Sequence, residues 1–263
     1  MRADENRVRV DVLLQAVEKL LAAPRPHHLS VISIDGFYGA GKTTFARTLV
    51  LSLEALGKRC LLLSTDDFMQ YSRVERQRIR ERYLDHPNWY DLASLAAFLK
   101  ELHSGRKEII YLTNLYNHVT GELDRMRDIH PNDAEIVVLE GMYALHGKIR
   151  SYIDLGILLI ADHELLLRRV IYRDKIERNI DEEFVRDRYW IINGIPYQEH
   201  LDECIKHAHL VIENSSKEAV TLRSVSDVVR TAIDSCVQAS QAVVGESILW
   251  EERERSYEYG STA

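Results

Sequence analysis

Cysteine is scarce in this chain: Cys60, Cys204 and Cys236 stand far apart, with no C-x-x-C pair among them. An odd, scattered set argues against a disulfide framework and fits reduced thiols in the cytoplasm, the expected location. Long apolar runs are missing too, so no segment reads as a bilayer-spanning helix. The opening MRADENRVRVDVLL is charged and amphipathic and lacks the apolar core and cleavage site of a secretory signal. Positive charge is in deficit: 34 Lys and Arg face 41 Asp and Glu, a formal net charge of −7. Nucleic acids and anionic membranes both demand a dense positive face, so neither is expected as a partner.

What the chain has is apolar periodicity. Its 263 residues, 46% hydrophobic, suffice for one sizeable core. Val10, Leu13, Leu14, Val17, Leu20 and Leu21 follow an i, i+3, i+4, i+7 spacing and predict an amphipathic helix, ended by PRPHH (24–28). LSVISID (29–35) is a β-branched run suited to a buried strand; glycines follow, then a helical stretch from Thr43 to about Leu56, closed by Gly57. CLLLST (60–65) reads as a second buried strand, and strand, glycines, helix, strand is the opening of a parallel α/β sheet. Residues 71–83 read as a helix, and Asp91 as the cap of a helix through His103. Residues 108–130 read as extended chain turning at Gly121. EIVVLEG (135–141) and YIDLGILLI (152–160) read as strands, 162–177 and 181–192 as helices, and HLVIEN (209–214) as the last strand. Leu222, Val225, Val229, Ile233 and Val237 are spaced as one face of a closing helix, and beyond Ser240 the pattern fades into a polar tail.

Gly36-Phe37-Tyr38-Gly39-Ala40-Gly41-Lys42-Thr43 matches G-x-x-x-x-G-K-[ST] without a gap. Glycines let backbone N–H groups turn towards an anion, and the helix that starts here adds its positive end. Gly36, Gly39, Ala40, Gly41, Lys42, Thr43 and Thr44 are the expected nucleotide-phosphate contacts, with Lys42 reaching the β- and γ-phosphates and the Thr43 hydroxyl on Mg²⁺. A chance match in a glycine-rich turn is the bland alternative, and the flanking buried strand and amphipathic helix argue against it. No N-K-x-D guanine-reading motif is present, which argues against a GTPase switch.

Ligands of such sheets gather at the carboxyl ends of the strands. Asp66 and Asp67 directly follow CLLLST, where a carboxylate can accept a proton from an attacking hydroxyl; capping a turn is the alternative. Glu140 ends VVLE, where an acid can order Mg²⁺. Arg168, Arg169, Arg173 and Arg178 lie on one helical stretch and can clamp the charge of phosphoryl transfer, or pair with Asp174 and Glu177 on a solvated face. Arg73, Arg76, Arg78, Arg80 and Arg82 read as an exposed charged helix balanced by Glu75 and Glu81. His27, His28, His207 and His209 do not read as a metal set, and Tyr189 and Trp190 read as packing under the arginine-bearing helices.

In this order, GFYGAGKT (36–43), TDDFM (65–69), LDHPNWYDL (84–92), NHVTGE (117–122), VVLEGMYAL (137–145) and RRVIYRDKIER (168–178) resemble the uridine kinase and phosphoribulokinase family of P-loop kinases. The resemblance implies an α/β three-layer sandwich with a parallel five-stranded core sheet, a small β-hairpin subdomain and a helical lid at about 165–195. It sets a kinase domain at 27–240, between the helix at 1–26 and the tail at 241–263. It implies ATP and Mg²⁺ as co-substrates and a small-molecule hydroxyl acceptor, nucleoside or sugar-like. It implies Asp66 as base, Lys42, Arg173 and Arg178 on the phosphates, and Thr43 and Glu140 on the metal. Asp85, His118 and Arg169 are implied in the acceptor site.

Departures bear on the acceptor. Thr113 and Leu84 stand where nucleoside kinases carry rings, and Leu and Thr do not replace stacking on a flat base. Tyr116 is a candidate for a displaced ring. Phosphorylated-sugar, pantothenate or glycerate kinases of the same family, and a non-catalytic nucleotide-binding regulator, are the alternatives; a homo-oligomer is compatible with the sequence. Lys42→Ala is expected to lower turnover by about two orders of magnitude, read as the initial rate of ADP release; retained turnover would remove the phosphate-loop reading.

Overall fold

The structure, a computed structural model, describes residues 7–22, 29–80, 86–105, 108–117, 119–178, 180–214 and 219–238. Asp85, His118, His27, His28 and the tail lie outside the described residues, as does the side chain of Arg178.

In chain order the strands are β1 (Arg7–Arg9), β2 (Ser30–Gly36), β3 (Cys60–Ser64), β4 (Ile110–Leu115), β5 (Arg125–Ile129), β6 (Ile136–Glu140), β7 (Leu155–Ile160), β8 (Leu210–Glu213) and β9 (Ala219–Val225). The helices are α1 (Val10–Ala22), α2 (Lys42–Ala55), α3 (Arg73–Arg80), α4 (Leu92–His103), α5 (His163–Arg178), α6 (Glu182–Ile192), α7 (Ile195–His207) and α8, over 227–238. One sheet runs β1-β9-β8-β7-β2-β6-β3 and a separate pair is β4-β5. The five strands from β8 to β3 are mutually parallel, as expected. β9 and β1 extend the sheet antiparallel beside β8.

Burial explains why these segments are strands. All seven residues of β2 and all five of β6 are buried, the signature of parallel strands covered on both faces. β2 lies between β6 and β7, so chain direction across the sheet reverses around it, the place where α/β sheets bind ligands. Register levels the functional ends: Glu140 pairs with Ile34 of β2 and with Ser64 of β3.

HLVIEN is not the last strand. Val220 and Leu222 are buried while Arg223 is exposed, the alternation of β9, and the closing helix begins only after Ser226. A spacing of three between Leu222 and Val225 is a helical one; β9 carries it because the pairing with β8 shifts register between Val211 and Ile212, and the β-branched AVTLRSV settles into the sheet. α7, for which the sequence reading set no element, carries Pro196 in its first turn, where the missing N–H costs nothing. Leu13, Ala16 and Val17 of α1 are fully buried in the common core. Leu13→Ala is therefore expected to cost about 3 kcal/mol, seen as a lower urea midpoint with an unchanged slope.

Candidate active site

The phosphate loop joins β2 to α2. Gly39 has φ +91, and a Cβ there would lie 2.7 Å from Val170 Cγ2 and 2.9 Å from the Leu166 carbonyl, so α5 rests directly on the loop. The Lys42 ammonium is buried and donates to the carbonyls of Gly36 (2.8 Å) and Phe37 (2.9 Å). Thr43 Oγ1 donates to Glu140 Oε2 at 3.1 Å. Burial pushes the Lys42 ammonium down from its ordinary value, against the pull of Glu140, Asp35 and Asp66. Burial also pushes the Glu140 carboxyl up, against Lys42, with Asp66 adding to the rise. Each charge is thus held at a cost that its neighbours do not fully offset. A phosphate beside Lys42 and a divalent cation beside the Thr43 and Glu140 oxygens would relieve both, and hard oxygen donors suit Mg²⁺. The cradle fits a magnesium nucleotide.

Asp66 sits on a 3-10 turn, Thr65–Phe68, capped by Ser64, whose hydroxyl accepts from the Asp66 N–H at 3.3 Å. Met69 bridges to Tyr90 across the following chain, and the Tyr90 hydroxyl approaches Asp66 Oδ1 at 3.4 Å. Gly141 follows Glu140 with φ +140, and a Cβ there would collide with Thr65 Oγ1, which draws the ends of β6 and β3 together. Asp66, Glu140 and Lys42 therefore act within one electrostatic field, as their mutual effects record.

Beneath the loop lies a carboxylate that the sequence reading passed over. Asp35 is fully buried; Oδ1 accepts from the Gly36 N–H and the Tyr197 hydroxyl, both at 2.7 Å. Oδ2 accepts from the Leu145 N–H and faces His200 Nε2, both at 2.8 Å. Burial would raise this carboxyl, but His200 and the donors hold it below the usual carboxylate range. Asp35, His200 and Cys204 place ligand atoms within 4.8 Å of one another. Both carboxylate oxygens already hold two partners each and burial pushes the thiol pKa up, so the trio reads as a strut rather than a metal centre. The signal was present: an acid in a strand buried along its whole length must find partners.

The lid helices meet the loop at Tyr38. Its hydroxyl donates to Asp174 Oδ2 at 3.0 Å and accepts from Arg173 Nη2 at 2.6 Å and from Arg188. Both guanidinium groups lie over the ring, 4.9 Å and 5.5 Å from its centroid, and both pair with the fully buried Asp174 at 2.8 Å. Through Tyr38, itself a residue of the loop, Arg173 is tied to the cradle. Arg188 was not anticipated. Arg169 is half-buried, its pKa lowered by burial, and its Nη1 has no hydrogen-bond partner among the described residues. Tyr189 is fully buried as expected, but Trp190 is 55% exposed and edges against it rather than packing under the lid.

Towards the β4-β5 pair, Asp67 is buried and paired with Arg125 (3.4 Å) and Arg127 (4.0 Å) of β5. Burial outweighs these partly exposed arginines and raises its carboxyl. Arg127 also donates to the Leu62 carbonyl at 2.9 Å, fastening the hairpin to β3. Tyr116 is buried, and the Arg76 guanidinium lies 4.4 Å above its ring and 5.9 Å from the ring of Trp89. Of the acids expected to balance this arginine helix, Glu75 caps α3, accepting from the Ser72 N–H at 2.8 Å, and feels the charge of Arg78, while Glu81 lies outside the described residues.

A family model described as the Phosphoribulokinase / Uridine kinase family matches residues 31–221. A uridine kinase of Macrococcus caseolyticus is 27% identical over 212 residues, 80% of this chain and 98% of that protein. A structure described as a possible uridine kinase from Bacillus stearothermophilus superposes with a TM-score of 0.54 at 20% identity, over 77% of this chain and 98% of the other. D-glycerate 3-kinase from Cryptococcus neoformans gives 0.55 at 15% identity, over 81% and 97%. At these identities the two structures bear on the fold alone.

Tyr38→Phe deletes one hydroxyl shared by two arginines and a buried acid. The variant without nucleotide is expected to lose about 1–2 kcal/mol, measured by urea unfolding; unchanged stability would mean that the hydroxyl does not hold the lid.

Proposed function

The chain belongs to the phosphoribulokinase / uridine kinase family, and from that premise we propose that it is an ATP-dependent kinase moving the γ-phosphoryl group to a hydroxyl of a sugar-like or nucleoside metabolite. The observation that carries the reading is the convergence of Lys42, Thr43, Glu140 and Asp66 at the carboxyl ends of three adjacent strands, level in register. Phosphoryl transfer asks little covalent chemistry of a protein and much positioning of charge.

Lys42, released from the Gly36 and Phe37 carbonyls, turns to the β- and γ-phosphates and gains the negative partner that its burial demands. Thr43 and Glu140 would hold Mg²⁺, which when bound supplies charge neutralisation on the phosphate oxygens. Asp66 accepts the proton of the attacking hydroxyl, with Tyr90 beside it fixing the carboxylate's orientation. Arg173, held on Tyr38 of the phosphate loop, can bring its guanidinium to the charge on the equatorial oxygens. The α5 and α6 helices resting on the loop help exclude water, the competing acceptor.

Asp66→Asn keeps the size and one acceptor oxygen but cannot take the proton. It is expected to bind ATP with near wild-type affinity by calorimetry and to lose transfer by about 10²–10⁴-fold. A variant that phosphorylates an acceptor at the wild-type rate would sink the assignment of the base.

A further inference from the structure

The Lys42 ammonium rests on two backbone carbonyls, that of Gly36 at 2.8 Å and that of Phe37 at 2.9 Å. Reaching a phosphate means leaving both, and a buried carbonyl stripped of its donor counts against the ligand that caused the loss. The Phe37 carbonyl keeps a second donor inside the loop, the Ala40 N–H at 3.0 Å. The Gly36 carbonyl ends a strand buried along its whole length, and its second side-chain donor comes from outside the loop: it also accepts from the Tyr197 hydroxyl of α7.

That hydroxyl is shared. It lies 2.7 Å from Asp35 Oδ1 as well, and a phenol has one proton for its two acceptors. Burial and the neighbouring carboxylate push the phenol well above its ordinary pKa, so the proton stays on the oxygen and is only aimed. The ring is fully buried, with Phe37, Tyr143 and His200 at 5.7, 5.1 and 5.4 Å from its centroid. The oxygen therefore keeps its place while the O–H turns. Asp35 tolerates the turn, because the Gly36 N–H still meets Oδ1 while the Leu145 N–H and His200 meet Oδ2. While Lys42 serves the Gly36 carbonyl, the hydroxyl proton belongs on the charged carboxylate, the stronger acceptor.

We propose that Tyr197 is a positioning residue for nucleotide binding: its hydroxyl proton turns from Asp35 to the Gly36 carbonyl as Lys42 leaves that carbonyl for the β- and γ-phosphates. The inference rests on the kinase reading, which puts a triphosphate in the cradle, and adds how the buried lysine is let go. Tyr197 acts through the carbonyl and not on the nucleotide. A tyrosine that only braced Asp35 would shape the loop whether or not Lys42 moved, and that difference is measurable.

The test is a double-mutant cycle between Tyr197→Phe and Lys42→Ala, read as MgATP dissociation constants from the ligand-induced rise in melting temperature. Tyr197→Phe is expected to weaken ATP binding about 10-fold when Lys42 is present, and to leave it unchanged in Lys42→Ala, where no ammonium departs. AMP, with no β- or γ-phosphate to draw Lys42 away, should bind the wild type and Tyr197→Phe alike. A second variant, Tyr197→fluorotyrosine, keeps the hydroxyl and the packing. Its fluorine resonance should move with ATP but not with AMP, and should stay still with ATP in Lys42→Ala. Equal weakening of ATP by Tyr197→Phe in both backgrounds would assign the tyrosine to bracing alone, and no weakening in either would remove its role. Each of these results overturns the inference and leaves the kinase reading standing. Should Tyr197→Phe fail to fold, the fluorine signal decides, and a resonance answering both nucleotides alike, or neither, overturns the inference. ATP bound as tightly by Lys42→Ala as by the wild type would overturn both.

Discussion

A single buried carboxylate organises this molecule. Asp35 lies at the end of the central strand, immediately before the phosphate loop, and gathers donors from the loop itself, from the chain after β6 and from two side chains of α7. An ionised acid without water is tolerable only when every lone pair is met. Meeting them fixes where the loop begins, where the β6 connection passes and how α7 docks. Tyr143, held at φ +64, relays this arrangement outward, its ring 5.1 Å from Tyr197 on one side and 5.4 Å from Tyr90 on the other. The acid next to Tyr90 is thus registered to the nucleotide cradle through packed aromatic side chains rather than through loops.

The cradle holds two charges that burial disfavours. Lys42 is held with its charge disfavoured and Glu140 with its carboxyl pushed towards protonation, although the two lie in each other's field. Such arrangements cost stability in the free protein and return it when the complementary charges arrive, which is how preorganised electrostatics is built. Arg173 and Arg188 are held in their turn by a buried acid: they share Asp174 and the Tyr38 hydroxyl, one residue away from Gly39, against which α5 packs.

Much of this was legible in the residues. The parallel core announced itself through buried β-branched runs, and the phosphate loop through an ungapped motif in its proper strand–helix setting. The lid helices fell within a residue or two of their predicted ends. β9 was missed because Leu222 and Val225 follow a helical spacing, which the strand accommodates only through the register shift in its pairing with β8. Arg188, Arg125 and Arg127 escaped notice for a different reason. An arginine's role depends on which acid the fold brings to it, and Asp174 and Asp67 are distant or ambiguous in sequence. Asp35 was the avoidable omission, since a charge inside VISID had no solvent to face. The contact between the hairpin and α3 was the least legible region, because Arg76 and Tyr116 lie about forty positions apart and meet only in the fold.

The hairpin's attachment to β3 also bears on how the protein behaves in a crowded solution. An outer strand with unsatisfied carbonyls invites pairing with another chain. Here β3 closes one margin of the sheet, and Arg127 occupies the Leu62 carbonyl. At the other margin the described part of β1, Arg7–Arg9, carries arginine at its first and last positions. Both borders are blunted against strand-to-strand aggregation, so any self-association of this protein is expected to run through side-chain surfaces rather than through a continuous intermolecular sheet.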